Sequence, residues 1–114
     1  MEISIRKLSE VQIIQIRGAL RLGVGVDSFR QAMEDALVAG NARVVVNFAE
    51  VPMIDSSGIG ILVKAMASAK QRGGAVKLLS PSKFVVQTLK LIGVLNLFEI
   101  FEDENAAVGS FAAH

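Results

Sequence analysis

The chain contains no cysteine, no tryptophan and no tyrosine, and its one histidine is the last residue, His114, on a tail expected to fray. The first absence excludes disulfides and any metal site built on thiolates. The others thin the supply of general bases and activated nucleophiles, leaving carboxylates, lysines and hydroxyls. With no other histidine available, a Ser-His-Asp triad cannot be assembled around the serines. A dominant charge is missing too. Twelve Lys+Arg face eleven Asp+Glu for a formal net charge of +1, so no overall field draws the chain to nucleic acid or an acidic membrane. No uncharged apolar run is as long as the ~18 residues of a spanning helix. The first residues, Met1-Glu2-Ile3-Ser4-Ile5-Arg6, alternate in polarity where a signal peptide would carry an apolar block. Nucleotide fingerprints are absent as well: Gly18, Gly23 and Gly25 do not fit G-x-G-x-x-G, and there is no P-loop string. Together these absences lead to the expectation of a cytoplasmic, non-enzymatic protein with no cofactor or metal, no membrane insertion and no direct nucleic-acid contact.

What is present reads as one domain over residues 1–114. Apolar residues make up 52% of the 114, enough to bury a core without staples. Glu2 to Lys7 alternates, with Ile3 and Ile5 expected inward, and Val11 to Arg17 gives a second strand close behind it, so the two should form an antiparallel hairpin. From Val26 to about Ala39 the spacing turns helical, with Val26, Phe29, Met33, Ala36 and Leu37 on one face; Gly40-Asn41 is the stop signal. Arg43 to Phe48, with its three valines, reads as a central strand covered on both faces. A short extended piece, Pro52-Met53-Ile54, leads into a second helix that runs to about Arg72 and buries Ile59, Leu62, Val63, Met66 and Ala69. A strand over Ala75–Leu79 follows, then a helix using Val85, Val86, Leu89 and Ile92. Leu97–Phe101 is expected as a last strand and Asn105–Phe111 as a last helix. The fold class is α/β: a mixed sheet of four or five strands with about four helices, one antiparallel hairpin and parallel crossovers.

The richest segment is Val44 to Lys64, VVVNFAEVPMIDSSGIGILVK. Asp55, Ser56 and Ser57 fall where a buried strand becomes a helix, and short oxygen-bearing side chains there accept bonds from the first unpaired N–H groups. Gly58 is a poor helix former, and its missing side chain is expected to leave the neighbouring hydroxyls open to an approaching body. On residues alone, a plain helix cap explains this string as well as a functional site does.

Asp55-Ser56-Ser57-Gly58-Ile59-Gly60, behind an apolar strand ending in Asn47-Phe48, resembles the signature of the STAS-domain family, and within it the bacterial anti-sigma factor antagonists. The similarity extends to Gly18-Ala19-Leu20, to Gly40 through Val46, to Arg72 through Leu79 and to Leu91 through Phe101. The resemblance implies a STAS fold and a phosphorylation switch with Ser56 as phosphoacceptor. It implies an anti-sigma factor that is also a serine kinase as partner, and a PP2C-type phosphatase that resets the site. Asp55, Ser57 and Gly58 flank the acceptor. Ile59, Ile61, Lys64 and Arg21 are candidate partner contacts; a helical wheel sets Ile61 opposite the core stripe, on the side of Lys64, Ser68 and Arg72.

One position departs from the pattern. The family commonly has an acidic residue after Gly-x-Leu, whereas Arg21 follows Gly18-Ala19-Leu20 here. Six cations between Lys64 and Lys90, with no acid among them, read as a solvated face or as a dock for an acidic partner. Ile61, Phe84 and Phe111 are expected to be exposed and could support a homodimer. Two other functions stay open: a non-switching STAS scaffold within a signalling complex, and an accessory subunit of a lipid or anion transporter.

Overall fold

The alternating start and the helical spacing from Val26 onward resolve into a mixed α/β layer structure. A computed structural model describes residues 2–23, 25–39 and 41–112. The elements run β1 (Glu2–Leu8), β2 (Val11–Arg17), α1 (Val26–Ala39), β3 (Arg43–Glu50), α2 (Ser56–Gln71), β4 (Ala75–Leu79), α3 (Lys83–Ile92), β5 (Ile100–Phe101) and α4 (Glu104–Ala112). Expectations placed on Gly40 and His114 lie outside the described residues. The sheet order is β1-β2-β3-β4-β5, with β1 antiparallel to β2 and the other neighbours parallel. Ser9 and Glu10 turn the hairpin with φ of 50° and 67°, the double positive φ that matches the right-handed twist of the strands on either side.

Strand alternation divides the core in two. Ile14, Ile16, Val44, Val46, Phe48, Val76 and Leu78 face α1, α2 and α3. Val11, Ile13, Val45 and Leu79 face Ala107, Val108 and Phe111 of α4 on the opposite side. This is why three valines in a row can all be fully buried in β3. Each apolar side chain sealed this way contributes about 1.5–3 kcal/mol.

Several expectations change. Ile5 is exposed and Ile3 only half-buried, because β1 is an edge strand. Phe111 is buried under the second face, whereas Phe84 is exposed as expected. Ile92 is 48% exposed, and Val86 is half-buried. The last strand shrinks to Ile100–Phe101, since Leu95–Leu97 is a 3-10 turn. Lys77 does not belong to a solvated face. At 3% exposure it lies under α4, its Nζ donating to Ser110 Oγ at 2.7 Å. Glu99 lies 3.3 Å from the same ammonium, and the Phe111 ring centroid 4.2 Å from it. A buried cation is tolerable only with such company.

Candidate functional site

Parallel strands leave their carboxyl ends, with the loops that follow, at one end of the sheet, and there the β2–α1 and β3–α2 connections meet. Leu20 and Ile54 form a single parallel bridge. The Leu20 N–H donates to the Met53 carbonyl at 3.0 Å, and the Asp55 N–H to the Leu20 carbonyl at 2.9 Å. Leu20 and Ile54 are both sealed from solvent, so the two loops are stapled by packing as well as by the backbone.

Asp55 sits on this staple in extended conformation as the N-cap of α2. Its Oδ1 accepts from the Ser57 and Gly58 N–H groups at 3.0 and 3.3 Å, and also from the Ser57 hydroxyl. Its Oδ2 accepts the Leu22 N–H at 2.9 Å. One carboxylate thus joins the helix start to the loop after β2. The Ser57 hydroxyl holds the Asp55 carboxyl below the ordinary aspartate value of 3.8, helped by the Leu22 N–H and opposed by partial burial. A depressed folded value means that Asp55 stabilises the fold fully above 3.8 and loses this contribution as pH falls through its folded value. Asp55→Asn should therefore melt below wild type at neutral pH, with the gap closing in acid; a gap independent of pH would contradict this.

The two serines are not equivalent. Ser56, at the first position of α2, is exposed, whereas Ser57 is half-buried and its hydroxyl is committed to Asp55. Gly58 is buried. A Cβ there would come 2.9 Å from Ile54 Cγ1 and 3.4 Å from Leu20 Cβ. Its role is thus to seat the helix on the loop staple beneath Ser56, not to open the surface above. Gly60, one turn beyond Ser56, is exposed, and a Cβ there would meet nothing within 4 Å.

The candidate contacts separate. Lys64 and Arg21 are exposed. Arg21 stands between Leu20 and Leu22, both tied to the Met53–Asp55 segment, so the departure from the family pattern lies beside the site. Ile59 and Ile61 do not belong on the surface: they are 3% and 9% exposed. Ile61 packs towards α1, near Met33 and Leu37. A wheel drawn for one core stripe misses it because α2 has two apolar neighbours, the sheet beneath and α1 alongside. Leu22, 78% exposed on the loop held by Asp55, was missed by sequence reasoning. Only the adjoining Gly23, in left-handed conformation, signalled a projecting turn there.

Among the described residues no three His, Cys, Asp or Glu side chains converge on a metal position, and no helix is long and apolar enough to cross a membrane. The arrangement offers an exposed hydroxyl on a helix N-terminus, with exposed Leu22 on the loop that Asp55 holds and exposed Gly60 and Lys64 further along the same helix.

A comparison with curated proteins finds no match. Solved structures do match. A Thermotoga maritima protein assigned as an anti-sigma factor antagonist superposes with a TM-score of 0.87 at 22% identity, over 96% of this chain and 94% of that one. The anti-sigma factor antagonist SpoIIAA in its unphosphorylated form gives 0.83 at 21% identity, over 99% and 98%. The phosphorylated form of SpoIIAA from Bacillus gives 0.75 at 22%, over 96% and 98%. A sulfate transporter family protein of Wolinella succinogenes gives 0.76 at 20%, over 92% and 87%. At these identities the likeness establishes the fold. The family is established by the sequence itself: residues 2–107 match the STAS domain, and this chain belongs to the STAS-domain family.

Proposed function

We propose that this protein is an anti-sigma factor antagonist, a cytoplasmic binding module switched by phosphorylation of Ser56. Unphosphorylated, it occupies an anti-sigma factor that is also a serine kinase, and the sigma factor is freed. Phosphorylated, it lets go until a PP2C-type phosphatase removes the group. The observation that carries this reading is the difference between adjacent serines, one presented to solvent and the other bonded to Asp55. The existence of SpoIIAA structures in both phosphorylation states supports it by analogy of fold.

The physical logic is asymmetric. A phosphoryl group brings about −1.5 to −2 charge. At a helix N-terminus the macrodipole favours an anion, so the domain accommodates the group. A partner packed over the same corner meets a bulky dianion beside the Asp55 carboxylate. Binding is lost and the fold is kept. The test is Ser56→Asp, which should melt like wild type yet fail to hold the partner; retention of full partner affinity would refute the switch.

A second reading rests on the Wolinella match: a non-switching STAS unit attached to a transporter or signalling assembly. It predicts association with membrane proteins that no substitution at Ser56 alters.

A further inference from the structure

The edge strand β1 offers a surface that the Ser56 corner does not use. Among the described residues its only strand neighbour is β2, so the backbone groups on its outer side have no strand partner. All seven residues except Ile3 are exposed. Ile3 and Ile5 share the face on which α1 packs and line an open groove with Ser28, Gln31, Ala32 and Asp35. Glu2, Ser4 and Arg6 alternate onto the other face. Natural edge strands of this length are normally covered, bulged or blocked, and this one has a regular seven-residue register with β2.

We propose that β1 pairs antiparallel with β1 of a second copy about a two-fold axis at Ser4, continuing the sheet across the dimer. Register arithmetic selects this axis. With Ser4 facing its own counterpart, Ile3 falls opposite the second copy's Ile5, and Glu2 opposite the second copy's Arg6. Each pair shares one face, and each is repeated by the symmetry, as an isologous contact requires. Moving the axis to Ile5 sets Glu2 opposite Leu8 and Ile3 opposite Lys7, and the match is lost. Cross-strand apolar and opposite-charge pairs are the units that hold such ladders. Arg6 already reaches Glu104 of its own chain, and at 53% side-chain exposure its guanidinium retains free donors for a second carboxylate. A single strand pair is a small contact, so the dimer forms reversibly at high protein concentration. Nothing in this pairing depends on the role of Ser56.

The absence of cysteine makes the test direct. Under mild oxidation Ser4→Cys should give a disulfide-linked dimer, since directly opposed residues lie ~5 Å apart. Ile5→Cys should not, because its own counterpart is displaced along the ladder by about 7–8 Å. In sedimentation analysis of the full chain, Ile5→Lys and Glu2→Arg should each weaken self-association about tenfold, with circular dichroism unchanged. Three results overturn the proposal: no cross-link from Ser4→Cys, preferential cross-linking from Ile5→Cys, or self-association indifferent to Ile5→Lys. The first two address the register and the third the surface, and none of them bears on the phosphorylation switch.

Discussion

Phosphorylation of Ser56 is expected to weaken anti-sigma factor binding by about a hundredfold or more, since like charges forced together in an interface cost several kcal/mol and about 1.4 kcal/mol is tenfold in affinity. The melting temperature of the phosphorylated chain should stay close to that of the unmodified chain. Ser56 is exposed at the first position of α2, so the group needs no space inside the fold. The groups beneath it are already matched: Asp55 holds the Ser57, Gly58 and Leu22 N–H groups, and Leu20 and Ile54 pack below. The charge therefore acts outward. Calorimetric titration of the partner with each form, beside a thermal melt of each, gives both numbers. A modified chain that unfolds, or one that binds as tightly as before, contradicts the account.

The largest effect on stability should come from one methyl group at Gly74. α2 ends in a Schellman arrangement, with the Gly73 N–H donating to the Lys70 carbonyl at 3.1 Å and the Gly74 N–H to the Ala69 carbonyl at 2.8 Å. The chain then passes directly against the start of β3. A Cβ on Gly74 would sit 2.0 Å from the Ala42 carbonyl oxygen and 2.9 Å from that of Asn41. Neither obstacle is a side chain that can rotate away. The Ala42 oxygen also accepts the Ala75 N–H at 3.0 Å, so relief must separate β4 from β3 where their pairing begins. Gly74→Ala should cost about 3 kcal/mol or more, roughly 10–20 °C in melting temperature. Gly60→Ala is the matched control: it meets nothing and replaces an exposed helical glycine, so it should gain up to ~1 kcal/mol. Equal melting of the two variants would refute the steric argument.

How far the sequence reveals this molecule depends on what each residue answers to. The span of α1, the valine run of β3 and the Asp55 cap were legible because local spacing and local hydrogen bonding decide them. Ile61, Phe111 and Lys77 were misplaced because their surroundings come from distant segments, whereas the burial of Ile59 followed from helical spacing and only its candidacy as a partner contact fails. Ile61 is covered by α1, and Phe111 and Lys77 lie together between α4 and the second face of the sheet. Leu22 escaped notice for the same reason: its projection follows from a bond between its N–H and a carboxylate 33 positions away. Gly58 was recognised as part of the site but given the wrong task, since nothing in a linear string reveals that Leu20 and Ile54 lie beneath it.

Adjacent serines supply the sharpest discriminator for the central claim. After incubation of the chain with the proposed partner kinase and ATP, fragment mass spectrometry should locate a single phosphate, and it should lie on Ser56. Transfer to Ser57, whose hydroxyl is donated to Asp55, would contradict the assignment of Ser56 as the acceptor, and no transfer to either serine would mean that this corner is a helix cap and nothing more.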